Sequence, residues 1–166
     1  MRRLAFVAVL TAMVTLALAP AVAGKPADQR NFSAHLTGDN EIPATGSAGQ
    51  GQVMFKLDRD GDSMGFKLIV ANIEDVIMAH IHCGSSDVNG PVTVFLFGPS
   101  DPVDVDGILS QGTITPEDVI PIPDSAVCPG GISGFDDLLE KMRSGGAYVN
   151  VHTVLNPGGE IRGQLR

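Results

Sequence analysis

Three of the four histidines in this 166-residue chain have a spacing that could serve a metal ion. His80 and His82 lie two positions apart within Val76–Cys83, an apolar run that predicts a strand covered on both faces. Side chains two apart in a strand leave the same face about 6–7 Å from each other, so both imidazoles can reach one ion. His152 lies in a later predicted strand, Tyr148–Val154, and joins them if the two strands are close. Three histidines with an open coordination position are a recognised arrangement for zinc or copper.

Other side chains near these histidines are weaker candidates for the same site. Glu160 in the last predicted strand and Met78 in the strand of the first two histidines could each supply a further ligand. Asn150, which shares a face with His152, could orient a ring through its free nitrogen. His35 faces away from the apolar side of its predicted strand, so we interpret it as a surface residue.

The same histidines also have a purely structural interpretation. His80 could accept a backbone N–H from the segment 101–131, and His152 could donate to a carbonyl of the final hairpin. A pair of histidines two positions apart is weak evidence by itself. Metal titration separates the two interpretations, because only a metal site takes up an ion and loses it when His80 and His82 are replaced.

The two cysteines, Cys83 and Cys128, are expected to form one disulfide. In an exported protein a single pair of cysteines is most often oxidised. Closing a loop of this length stabilises a fold by about 4 kcal/mol in the chain-entropy model. The alternative is that Cys83 is a metal ligand, since it follows His82 directly.

No motif in the chain specifies catalysis. The sequence lacks a G-x-S-x-G elbow, a glycine-rich phosphate loop, and a cysteine beside a histidine on a helix. Carboxylates are plentiful, but none lies in an apolar stretch that would raise its pKa. We therefore name no catalytic residue, and the pattern leans against an enzyme.

Short alternating apolar runs separated by glycine and proline predict an all-β fold, an antiparallel β-sandwich or Greek-key barrel of seven or eight strands with one short helix. The predicted strands span residues 31–37, 51–57, 64–70, 76–83, 92–97, 107–114, 148–154 and 160–165. Asp-Gly within the turn at 58–62 predicts that the second and third strands form a hairpin.

One segment has helical spacing. Its apolar residues recur at i, i+3, i+4 and i+7, as Phe135, Leu138, Leu139 and Met142. Ser133 is the predicted N-cap, and a glycine follows the predicted end.

The N-terminus predicts export. A basic start at 1–3, an uncharged apolar run at 4–18 and a small-residue ending indicate a secretory signal peptide cut near Ala23. The apolar run is too short to span a bilayer comfortably. The expected organisation is a signal peptide at 1–23, a short linker at 24–30 and one β domain at 31–166, secreted or periplasmic, with no membrane span after cleavage.

The charge of the exported chain bears on its partners. Without Arg2 and Arg3, 9 of the 11 basic residues remain against 19 acidic ones, a net charge of −10. Such a surface argues against nucleic acid and anionic membranes as partners, and it tolerates cations.

Three blocks of the sequence resemble the chordin-type (CHRD) domain. The opening block is Phe32–Gly38 leading to Glu41-Ile42-Pro43, the middle block is Ala79–His82 followed by Asn89–Val92, and the final block is Tyr148–Thr153 with Asn156–Leu165. The resemblance implies a secreted domain, which occurs singly in microbial proteins and as repeats in chordin, an animal protein that binds growth factors. Growth-factor binding by this chain would be an analogy alone.

These observations lead to one expected function and two alternatives. We expect an exported CHRD-type binding module whose three histidines hold copper or zinc. The alternatives are a small copper- or zinc-dependent enzyme, and a metal-free extracellular adhesion or interaction domain. The expected partner is a metal ion or an extracytoplasmic protein that the sequence does not identify.

Overall fold

The computed structural model describes residues 28–166, which form eight strands and one α-helix. The strands are β1 (Asn31–Thr37), β2 (Gln50–Leu57), β3 (Met64–Ala71), β4 (Val76–Cys83), β5 (Val92–Phe97), β6 (Gly107–Ile114), β7 (Ala147–Thr153) and β8 (Ile161–Gln164), and α1 is Phe135–Ser144. Three-residue 3₁₀ turns follow β1 and β6. The predicted signal peptide lies outside the described residues. No helix within 28–166 is long and apolar enough to cross a membrane.

All eight strands belong to one antiparallel sheet that nearly closes on itself. Its strand order is β5-β4-β7-β8-β1-β2-β3-β6. The two end strands approach each other, and the Ser110 hydroxyl of β6 donates to the Leu96 carbonyl of β5 at 2.6 Å. The all-β prediction is confirmed, and near-closure removes most of the unpaired strand edge that would invite aggregation.

The hydrophobic core lies on the concave side of this sheet. Phe32 of β1 pairs with Phe55 of β2, and Ala34 pairs with Val53, all of them buried. Alternation places every second residue of a strand on one face, which explains the buried–exposed pattern along Asn31–Thr37. The predicted hairpin between β2 and β3 is confirmed, with the side chain of Asp58 accepting backbone N–H groups across the turn.

Helix α1 has the predicted apolar face, but the predicted N-cap is wrong. Phe135, Leu138, Leu139 and Met142 are all buried. The N-cap residue is Gly134, which has no side chain to cap the helix. Ser133 instead uses its hydroxyl and its backbone N–H as donors to the carboxylate of Asp137. An aspartate in the first helical turn also suits the positive end of the helix dipole.

A disulfide joins the end of β4 to the long segment between β6 and α1. Cys83 and Cys128 are bonded, with their Cα atoms 5.5 Å apart, and both are buried. The prediction of a disulfide is confirmed. The alternative that Cys83 is a metal ligand is wrong, because its sulfur is already bonded.

The convex side of β4, β7 and β8 is covered as well. All seven residues of β7 are buried, although only alternate residues face the core. On the concave face Val149 and Val151 join the core, and on the convex face Tyr148, Asn150 and His152 are also buried. Loops at 38–49, 84–91 and 154–160 contact these polar residues through Glu41, Gly90 and Pro157 respectively. The result is a closed polar layer outside the core, and it holds the candidate site.

Candidate metal centre

The predicted histidines converge on the covered convex face. Antiparallel pairing sets His80 of β4 opposite Asn150 of β7 and His82 opposite Tyr148. One ligand nitrogen from each of His80, His82 and His152 lies within 4.8 Å of the other two. All three rings are buried, with exposed fractions of 3%, 7% and 6%. The three imidazoles are close enough to bind one metal ion.

Backbone carbonyls orient two of the three rings. His82 Nδ1 lies 2.8 Å from the Gly90 carbonyl, and His152 Nδ1 lies 3.0 Å from the Pro157 carbonyl. A carbonyl only accepts hydrogen bonds, so each Nδ1 carries the proton and each Nε2 keeps its lone pair. The same second contact of a ring fixes the tautomer in known metal sites.

The ring of His80 has no backbone carbonyl partner; one of its nitrogens contacts His152 and the other is unpaired. His80 Nδ1 lies 3.0 Å from His152 Nε2. The Nε2 atoms of His80 and His82 are buried and have no hydrogen-bond partner. Leaving a buried polar atom unpaired costs roughly 1–3 kcal/mol, so two such atoms together mark an unusual site.

Burial keeps these rings neutral at neutral pH. Desolvation lowers the pKa of His80 to about 3, and the neighbouring His152 and His82 lower it further. Desolvation also lowers the pKa of His82 to about 4, against the hydrogen bond to the Gly90 carbonyl that raises it. The pKa of His152 is lowered by burial too. Neutral imidazoles are the form that binds a metal.

Two aromatic rings enclose the histidines. Phe95 of β5 meets His80 edge-on, with ring centroids 4.5 Å apart, and is itself 47% exposed. Tyr148 stacks on His82 with centroids 4.8 Å apart and planes 8° from parallel. The Arg162 guanidinium carbon lies 3.4 Å from the centroid of Tyr148. Phe95 is therefore the half-exposed side chain that lies between His80 and solvent.

Arg162 holds the 84–91 loop over the site through three hydrogen bonds. It is 1% exposed and donates to the Asn89 side chain at 3.1 Å and to the Ser85 and Val88 carbonyls at 2.8 Å each. Gly90 completes this loop, because its N–H donates to the Tyr148 hydroxyl at 3.0 Å while its carbonyl binds His82. A side chain at Gly90 would overlap the carbonyl of Cys83. This close approach explains the glycine in the Asn89–Val92 block.

A buried carboxyl that the sequence did not indicate lies beside the histidine cluster. Glu41 is 6% exposed, and its Oε1 makes no well-aligned hydrogen bond. Burial raises its pKa to about 7, although Arg162 and the Asn150 amide lower it. The expectation that no carboxylate has a raised pKa is therefore wrong. Glu41 lies in a loop, and the path of a loop cannot be inferred from the alternation of apolar residues. The only available signal was that Glu41 belongs to the Glu41-Ile42-Pro43 block.

The weaker candidates occupy different surroundings. The Asn150 side-chain oxygen lies 2.9 Å from His152 Nε2, inside the cluster. Met78 pairs in register with His152 and is partly buried. The Glu160 carboxylate accepts hydrogen bonds from Ser47 and Thr153, and also from the Asn156 amide. Glu160 is thus engaged by other donors, outside the group of three histidines.

The other predicted contacts of the histidines are partly present. His152 donates to a carbonyl of the final hairpin, as the structural interpretation expected. Among the described residues, no backbone N–H of the segment 101–131 donates to His80. His35 is exposed, as predicted.

Comparison with known proteins identifies the family. The CHRD domain family matches residues 32–165, nearly the whole of the described chain. No curated protein matches the sequence. No solved structure matches it either.

Proposed function

The chain belongs to the CHRD domain family, and from that premise we propose that it is an exported binding module holding one copper or zinc ion. His80, His82 and His152 are the proposed ligands. The family supports a binding role, and the cluster supports a metal as what is bound. Copper and zinc both accept three neutral imidazoles with an open position.

The observation that carries this proposal is the convergence of three neutral, buried imidazoles with nitrogen atoms left unpaired. The ligand nitrogens lie within 4.8 Å of one another, and the Nε2 atoms of His80 and His82 have no partner. A bound cation would supply the missing partner and offset the cost of burying those atoms. A tetrahedral ion with bonds of about 2.0–2.1 Å separates its donors by roughly 3.3 Å, so the rings need only small adjustments.

Metal titration of the purified protein tests the proposal. We expect about one copper or zinc ion per chain, with uptake abolished in the double variant His80→Ala/His82→Ala. The matched control is His35→Ala, since His35 is an exposed histidine of β1 outside the cluster. Equal uptake by wild type and the double variant would contradict the proposed site.

A metal-free interaction domain is the second candidate, and one contact favours it. His152 already binds the Pro157 carbonyl and so helps to hold the final hairpin. On this reading the wild type takes up no metal, and replacing His152 lowers stability alone. A metal-dependent enzyme would need, in addition, redox or hydrolytic activity in the loaded protein.

Export is the remaining part of the proposal. It is supported by the N-terminal sequence pattern and by the disulfide, a bond typical of oxidising compartments. We expect the protein recovered outside the cytoplasm to begin at Gly24, which N-terminal sequencing or an intact mass measures. A chain recovered only in the cytoplasm and starting at Met1 would contradict export.

A further inference from the structure

The side-chain amide of Asn150 turns its oxygen toward the histidine cluster, where a bound cation would be its natural partner. Its Oδ1 lies 2.9 Å from His152 Nε2. Because His152 Nδ1 donates to the Pro157 carbonyl, Nε2 of the neutral ring is an acceptor, and so is an amide oxygen. In the other neutral tautomer Nε2 carries the proton and can donate to Asn150 Oδ1. The unprotonated Nδ1 then faces the Pro157 carbonyl oxygen, which is also an acceptor. Either way two acceptors face each other at hydrogen-bond distance.

We propose that Asn150 Oδ1 is the fourth donor of the metal centre, completing a set of three imidazole nitrogens and one oxygen. This inference rests on the proposed function. The separation suits such a set, because Oδ1 lies 2.9 Å from His152 Nε2, close to the roughly 3.3 Å between donors of a tetrahedral ion.

Glu41 is the positioning residue that holds this orientation. Its Oε1 and the Nδ2 atom of Asn150 both lie against Gly159, and the Asn150 amide acts on the carboxyl as a donor. With the amide nitrogen turned toward the carboxyl, the amide oxygen must turn toward the histidines. When Glu41 is ionised, rotating the amide by half a turn would set its oxygen against the carboxylate, which again places two acceptors together.

Gly159 allows Glu41 and Asn150 to meet. A Cβ at this position would lie 2.7 Å from Asn150 Nδ2 and closer still to Glu41 Oε1. Its φ of +126° also belongs to a region that residues with side chains rarely adopt. The second glycine of the Asn156–Leu165 block thus has a specific role, which is to leave room for the pair that aims the amide.

Replacing Asn150 tests the donor directly. We expect Asn150→Leu, which keeps the shape and removes the oxygen, to weaken zinc binding on the order of 10- to 100-fold in a chelator competition assay. The visible spectrum of the cobalt(II)-substituted protein should change in the same variant, because one ligand atom is different. Asn150→Asp keeps an oxygen donor and should retain metal, which guards against loss of folding in the leucine variant.

Replacing Glu41 tests the positioning. We expect Glu41→Gln to weaken zinc binding about tenfold, because a glutamine amide can donate to Asn150 Oδ1 and favour the rotated orientation. The matched control is Asp39→Asn, which makes the same carboxyl-to-amide replacement at an exposed neighbour in the same loop and should leave affinity unchanged.

The outcomes separate this inference from the proposed function. If wild type binds no metal, the proposed function itself fails. If wild type binds metal while Asn150→Leu has the same affinity and the same cobalt spectrum, the metal site stands and the fourth donor is refuted. If Glu41→Gln and Asp39→Asn behave alike, the positioning role of Glu41 is refuted.

Discussion

Removing the disulfide should cost this protein a large share of its stability. The bond joins Cys83 to Cys128 across a sequence separation of 45 residues. In the chain-entropy model a loop of that length restricts the unfolded chain by about 13 cal/mol/K, which is about 4 kcal/mol at 25 °C. The total free energy of unfolding of a domain is typically about 5–15 kcal/mol, so the double variant Cys83→Ala/Cys128→Ala is expected to be folded only marginally.

Urea unfolding of four proteins measures this effect and its origin. These are the wild type, both single alanine variants and the double variant, with the single variants kept reduced to prevent dimers. If the crosslink is the cause, each single variant loses nearly as much free energy of unfolding as the double variant, because one replacement already breaks the bond. The slope of free energy against urea should also rise, since the uncrosslinked chain exposes more surface on unfolding.

Two results would refute this reasoning. A loss below about 1 kcal/mol in the double variant would mean that loop closure does not restrict the unfolded chain as supposed. Single-variant losses that add up to the double-variant loss would mean that packing of the two buried side chains, and not the crosslink, provides the stability.

The remaining predictions concern pH, the buried arginine and the exposed hairpin. In the metal-free protein, the pKa values of about 3 for His80 and about 4 for His82 mean that the unfolded state binds more protons below pH 6.5, so the histidines lose stabilising effect as pH falls. Glu41, with its pKa raised to about 7, acts in the opposite direction between pH 4.5 and 7, but the histidines prevail. Urea titrations should show the free energy of unfolding rising by about 1 kcal/mol per pH unit from pH 4.5 to 6.5, and a fall over that range would contradict the burial of neutral rings. Arg162→Lys should destabilise by about 2–4 kcal/mol in the same assay, since an ammonium cannot make all three hydrogen bonds and still stack on the tyrosine; a change below about 1 kcal/mol would show that the guanidinium is not needed. Leu155→Ser should change stability by less than about 0.5 kcal/mol because Leu155 is 84% exposed, and a larger loss would reveal a packing role in the 154–160 loop.

Strand positions follow from the sequence because alternation reflects burial directly. The bounds of β1, β4, β5 and β6 agree with the predicted ones. Those of β2 and β3 differ by one residue at one end, and those of β7 and β8 by one residue at each end. Side chains two apart in a strand share a face, so the sequence alone predicts that His80 and His82 lie next to each other on one face of β4. The convergence of His152 needed one further fact, the pairing of β4 with β7.

The covering of the site could not be predicted, because it depends on how loops fold over an outer face. Nothing in the alternation of Tyr148–Val154 indicates that both of its faces are buried. Gly90 and Pro157 reach the histidines from two separate loops, and Glu41 reaches Asn150 from a third. The paths of these loops are set by contacts distant in sequence. The raised pKa of Glu41 is a consequence of that covering and is invisible in the local sequence.

Metal content measured on the untagged, mature protein purified from its native compartment tests the central claim most directly. Elemental analysis should find about one copper or zinc ion per chain, and metal removed by a chelator should return on titration with the same stoichiometry. Protein that contains no metal, and that takes up neither ion on titration, would contradict the claim that His80, His82 and His152 form a metal centre.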